Sequence, residues 1–119
     1  MQEPNFDKYV KKLTELCTSP DCPACRSVLL FKGKWNIEVL FVLLQHSTMR
    51  FGDFKKAIPN ITNTKLTTTL RELEKLGVIK RTQYNEIPPR VEYALTESGW
   101  ALLPGFYQIA LWGSKYMAT

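Results

Sequence analysis

The sequence predicts a mainly α-helical chain with one small β-hairpin, an α+β fold, and three observations carry that reading. Leu66, Leu70, Leu73 and Leu76 recur at spacings of four, three and three, which lays one apolar stripe along a helix. Beyond Gly77 the pattern changes to a period of two over 78–84 and again over 90–95, with Asn85, Pro88 and Pro89 as turn material between the two runs. The two ends of the chain, 5–17 and 97–119, are amphipathic or apolar segments of helical period.

The helix behind the leucine stripe is the element the others serve. Thr62 precedes it as an N-cap, its hydroxyl placed to accept a free amide of the first turn. Opposite the leucines stand Thr64, Thr68, Arg71 and Lys75, with Asn63, Lys65 and Thr67 flanking the N-terminal end. Gly77 ends the helix, as glycine does just past a C-terminus. Short hydroxyl, amide and cationic groups on one face match the base edges and phosphates of a DNA major groove. The same pattern fits an ordinary solvated helix, so its surroundings must decide.

Taken in order, residues 5–17 place Phe6, Tyr9, Val10, Leu13 and Leu16 on one face and Lys8, Lys11, Lys12 and Glu15 on the other. This first helix needs a partner surface, and 18–21 is a loop. Residues 22–31 form a short helix with Pro23 in its first turn, where a missing amide costs little, and Lys32-Gly33 breaks it. The run 34–45 is apolar on nearly every face and is expected to be a buried central helix, with Glu38 unexplained within it. A turn with a short strand follows at 46–51. Phe51, Phe54 and Ile58 then mark one more short helix, with Asp53, Lys55 and Lys56 outward, and Pro59 stops it.

A short helix, a tight turn and a second helix with a polar front form a helix-turn-helix. The hairpin that follows at once carries Lys80, Arg81 and Arg90, and completes a winged-helix plan whose wing lies along a sugar-phosphate backbone or reaches a minor groove. Thr96 caps a last helix, with Glu97 at its positive end. Its run from Trp100 through Leu103, Phe106, Ile109 and Trp112 is more apolar surface than a chain of 119 residues hides behind one wing. A homodimer seam resolves it, with Phe6, Tyr9 and Leu13 of the first helix contributing. The chain is expected to be one domain over 1–119: an N-terminal helix and loop at 1–21, a winged-helix core at 22–96, and a C-terminal dimerisation helix at 97–119.

Composition narrows the function. The chain is 45% apolar and 23% charged, which suits a folded domain rather than a disordered tail. Its net charge of +5 favours polyanions, nucleic acid above all. No run of 18 apolar residues spans a membrane, and Met1-Gln2-Glu3-Pro4 opens no secretory signal, so a cytoplasmic chain is expected. One histidine, no Gly-rich phosphate loop and no clustered carboxylates leave no enzymatic machinery.

The chain resembles the HxlR-type winged helix-turn-helix regulators, relatives of the MarR-like group. The residues that carry the resemblance are Cys22-Pro23, Gly33-Lys34-Trp35, Arg50-Phe51-Gly52-Asp53-Phe54, Thr69-Leu70-Arg71-Glu72-Leu73-Glu74 and the wing Pro88-Pro89-Arg90-Val91-Glu92-Tyr93-Ala94-Leu95. It covers roughly residues 22–114 and implies a prokaryotic transcription regulator that binds double-stranded DNA as a homodimer, with its terminal helices building the dimer interface. The DNA contacts expected are Thr62, Asn63, Thr64, Lys65, Thr68 and Arg71 from the helix, and Lys80, Arg81 and Arg90 from the wing. The competing reading is a winged-helix module that binds a protein or small ligand and leaves its groove face unused.

Some members of that family sense oxidants or electrophiles through the cysteine of the Cys-Pro pair, here Cys22. A thiol at a helix N-terminus has its reactive thiolate favoured by the helix dipole, and Arg26 lies one turn on. Cys22 and Cys25, at i and i+3, are placed to form a disulfide, as is Cys22 with the partner subunit's Cys17. The residues alone fit inert, half-buried thiols equally. The pattern at Cys25 and Glu38 departs from the family's. Zinc needs four ligands, and the set Cys17, Cys22, Cys25 and the distant His46 is a poor one, so no metal or other cofactor is expected. An organic ligand stands beside an oxidant as the signal.

Overall fold

A computed structural model of the chain describes residues 6–17 and 22–117, with the backbone alone at positions 24 and 25. It divides into two compact units, Met1–Lys34 and Trp35–Thr119.

In the first unit, α1 (Phe6–Leu16) is joined to α2 (Pro23–Lys32). Asp7 sits in the first turn of α1, at the positive end of its dipole. Phe6, Tyr9, Val10, Leu13 and Leu16 are each more than half exposed, and α1 has no buried residue. Pro23 occupies the first turn of α2 as expected.

The second unit runs α3 (Asn36–Leu44), α4 (Phe51–Ala57), α5 (Asn63–Lys75), β1 (Ile79–Tyr84), β2 (Arg90–Leu95), α6 (Glu97–Ala101) and α7 (Leu103–Tyr116). Its core is Val39, Leu40 and Leu43 of α3, Phe54 of α4, Leu66, Leu70 and Leu73 of α5, and Ile58, Ile61, Ile79 and Leu95. Each such side chain contributes about 1.5–3 kcal/mol by leaving water. Three of the four stripe leucines are thus buried. Leu76 is the C-cap residue and stays 37% exposed.

The helix expected to be buried and central does supply the core, but it is covered on one side only. Val39, Leu40 and Leu43 point inward, but Phe41 is 56% exposed and Glu38 lies on the surface. An all-apolar run does not reveal which of its faces a neighbour covers, and Glu38 marks the uncovered one.

Strands β1 and β2 pair antiparallel, from Ile79 opposite Leu95 to Tyr84 opposite Arg90. The short strand expected at 46–51 is a single bridge, in which Met49 and Tyr93 exchange amide-to-carbonyl bonds of 2.9 and 2.8 Å. The single last helix expected from the sequence divides at Leu102. Pro104 lies in the first turn of α7, where its missing amide and ring would disrupt a continuous helix.

The end of α5 is fastened to α6. Gly77 takes φ +82°, a left-handed conformation that glycine adopts without steric cost. Its carbonyl accepts from the hydroxyls of Thr96 (2.6 Å) and Ser98 (2.8 Å), while the Thr96 amide donates to the Val78 carbonyl (3.1 Å). Thr96 caps α6 as expected, accepting from the Gly99 amide at 3.2 Å.

Candidate nucleic-acid interface

The start of α5 is fixed from two sides. Thr62 is its N-cap, with extended backbone, and Oγ1 accepts from the Lys65 amide at 3.1 Å. One residue earlier, the Lys55 ammonium of α4 donates to the Ile61 carbonyl. Lys55 is therefore half-buried and ties the turn between the two helices, rather than facing freely outward as its place beside Lys56 suggested. Helix α4 is itself capped by the Arg50 amide donating to Asp53 Oδ2 at 2.9 Å.

With its leucines inward, α5 leaves Asn63, Thr64, Lys65, Thr68 and Arg71 exposed, as is Thr62. The Thr68 hydroxyl donates back to the Thr64 carbonyl at 2.9 Å. Its hydrogen is thus used within the helix, which leaves an acceptor and a methyl group facing out. Such a side chain suits an amino group or a thymine methyl on a base edge.

Arg71 does not stand alone. A groove of about 350 Å³ is lined by Phe51, Thr67, Leu70, Arg71 and Glu74 with Arg81 and Tyr93 of the hairpin. This joins the helix and the wing in one surface and places two guanidinium groups on it. Glu74 was not among the expected site residues. The signal for it was its spacing, three after Arg71 and seven after Thr67 on the same helix.

The three wing cations separate. Successive side chains of a strand point to opposite faces, so Lys80, opposite Ala94, lies on the other side of the hairpin from Arg81, opposite Tyr93. Both are exposed. Arg90 is part-buried and already engaged. Its Nη2 lies 3.3 Å from Glu86 and its Nε 3.5 Å from Glu92, and the guanidinium carbon sits 4.1 Å over the Tyr84 ring. It does not line the groove that holds Arg71 and Arg81.

Cys22 is the residue before α2, at its N-cap, and is buried. Its sulfur is joined to that of Cys17 in the same chain, with the Cα atoms 4.5 Å apart. The sequence had pointed to Cys25, or to the partner subunit's Cys17, as the other half of a bond. The side chain of Cys25 lies outside the described residues. Among the described residues no three potential metal ligands cluster.

The residues expected at a dimer seam fall on open faces. Phe6, Tyr9 and Leu13 of α1 are exposed, as are Leu103, Ile109 and Trp112 of α7, which has no buried residue. Phe106 is half-buried and lines an apolar recess of about 150 Å³ with Ile37, Phe41, Ile109 and Ala110. No helix among the described residues is long and apolar enough to cross a membrane.

A capped helix with an open polar front, a tight turn behind it and a basic hairpin on the same groove define a winged helix-turn-helix domain of the DNA-reading class. The model of the HxlR-like helix-turn-helix family matches residues 30–119, and the chain belongs to that family. It is 43% identical over 95 residues to YdeP of Bacillus subtilis, an uncharacterised HTH-type transcriptional regulator, covering 80% of this chain and 73% of that one. Among solved structures, the redox regulator HypR in its oxidised form shares 36% identity and a TM-score of 0.71, over 82% of this chain and 100% of that one. The reduced form of the B. subtilis transcriptional regulator YodB shares 33% identity and a TM-score of 0.71, over 82% and 93%. These relatives are regulators by name, not enzymes.

Proposed function

We propose that the chain is a sequence-specific DNA-binding transcriptional regulator that acts as a homodimer on an inverted-repeat operator and is controlled by oxidation or alkylation at Cys22. The observation that carries the reading is the outward polar front of α5, backed by three buried leucines and continued onto the wing through Arg71 and Arg81. Asn63, Thr64, Lys65 and Thr68 supply groups for base edges and phosphates, and Lys80 and Arg81 grip the backbone. Two copies of α5 about a two-fold axis meet half-sites about one helical turn apart, near 34 Å.

A salt titration of DNA binding tests this. Affinity of the native chain should fall log-linearly with salt, with a slope of about 0.9 per phosphate neutralised. The double variant Arg71→Ala with Arg81→Ala removes four cations from a dimer, so its slope should be shallower by about 3 to 4. Salt-independent binding, or an unchanged slope in the double variant, would favour the protein- or ligand-binding module, whose contacts would centre on the apolar recess beside Phe106.

For control, the relatives described as a redox regulator make Cys22 the first residue to test. A hydroperoxide oxidises the Cys22 thiolate to a sulfenic acid and leaves as the alcohol. The Cys17 thiolate then displaces water, so two thiols lose two electrons and two protons as the disulfide forms. Closing it ties the end of α1 to the start of α2, and the two recognition helices of the dimer are expected to change their relative pose. Oxidant should then alter DNA affinity in the native chain and leave Cys22→Ser unaffected. An equal response in both proteins removes Cys22 from the mechanism.

A further inference from the structure

We propose that Cys17 is a thiolation site: a small-molecule thiol reopens the Cys17–Cys22 disulfide by bonding to the sulfur of Cys17, and Cys22 leaves as the free thiolate. This rests on the redox reading of Cys22 above, and names the class of reductant and the sulfur it meets.

The two sulfurs of the bond are not equivalent. Cys22 is 4% exposed, whereas Cys17 is half-buried. An incoming thiolate must approach a sulfur from the side away from its bonded partner, and of the two Cys17 offers the more open surface for that. The helices set the leaving side. The Cys17 amide closes the last turn of α1 on the Leu13 carbonyl at 2.9 Å. Cys17 therefore stands at the negative end of that helix, two residues after Glu15, with no basic residue in the last turn. The Cys22 carbonyl accepts from the Arg26 amide at 2.8 Å, which opens α2. Cys22 is thus at the positive end of its helix, and the first turn there holds no acidic residue. Negative charge is stabilised on Cys22 and disfavoured on Cys17, and the more stable thiolate leaves faster. Asp21, adjacent to Cys22 in the chain, works against this preference, so the difference in exposure is the larger cause.

The step balances without a further reactant. The thiolate bonds to Cys17 Sγ as the Cys17–Cys22 bond breaks, and the electron pair of that bond goes to Cys22. No net oxidation occurs, since one disulfide is exchanged for another. This first displacement already unties the end of α1 from the start of α2. Oxidants then act at Cys22, and the thiol pool resets the chain at Cys17.

The test uses the native chain, oxidised with diamide, with its remaining free thiols capped by N-ethylmaleimide. Glutathione is added, samples are quenched in acid at early times, and peptide fragmentation locates the adduct. Glutathione should be on Cys17 in about tenfold excess over Cys22. Equal adducts, or an excess on Cys22, overturns the proposal. So does maleimide on Cys17 or Cys22, which would mean that oxidation had not joined the two. Control by Cys22 is read separately, from DNA affinity of the oxidised and reduced chains. A misplaced adduct leaves that reading intact, and equal affinity of the two chains overturns it.

Discussion

Replacing Gly99 with alanine is expected to destabilise the second unit by about 3 kcal/mol or more, near the top of the range for overpacking by a single methyl group. The added Cβ would stand 2.2 Å from the Val78 carbonyl oxygen and 3.0 and 3.3 Å from two carbons of Leu95. Neither neighbour has room to yield. The Val78 carbonyl is fixed by the Thr96 amide, and Leu95 is 6% exposed in the core. To relieve the contact, α6 must lift from the strands, which breaks the bonds from Thr96 and Ser98 to the Gly77 carbonyl at the end of α5. Gly105→Ala is the control, since nothing lies within 4 Å of its Cβ position. That change should gain up to about 1 kcal/mol of helix propensity. Urea unfolding midpoints of the three proteins decide it, and a Gly99→Ala chain as stable as the native one would contradict the packing of α6 on the strands.

The second large effect concerns assembly. Trp112→Asp should abolish the dimer and, with it, high-affinity DNA binding. Trp112 is 56% exposed, lies tilted beside the Tyr116 ring at 5.9 Å, and sits on a helix with no buried residue. The fold has little to lose from its removal. At a two-fold interface the substitution occurs twice. An aromatic anchor contributes about 2 kcal/mol or more, so two copies weaken association by roughly a thousandfold. Sedimentation should show the native chain as a dimer and the variant as a monomer. A native monomer, or a variant that still pairs, would contradict a seam through α7.

The elements that could be read from the sequence are those with a local code. Thr62, the leucine spacing and Gly77 bound α5 because a cap, a stripe and a left-handed C-terminus are each properties of a few adjacent residues. The hairpin was legible for the same reason. What escaped depends on which groups the fold brings together. Glu38 and Phe41 belong to an apolar run whose outer face is set by the neighbours of α3. Lys55 looked like one of a solvated pair until the fold brought the Ile61 carbonyl to it. Arg90 stands in sequence beside Glu86 and Glu92, and the folded hairpin sets its guanidinium over Tyr84 and next to both carboxylates. Pro104 did signal the break at Leu102, but the apolar period continues across it and masks the interruption. Gly99 carries no local sign of the Val78 carbonyl against it.

The most direct test of the outward front of α5 is dimethyl sulfate protection on a duplex selected by the native chain. Guanine N7 lies in the major groove and adenine N3 in the minor, so the reagent reports which groove each part of the protein fills. Guanine N7 should be protected in two half-sites about one helical turn apart, with adenine N3 protected only in the flanks that the wings reach. Fully reactive guanine N7 throughout the bound site, at saturating protein, would contradict an α5 that enters the major groove.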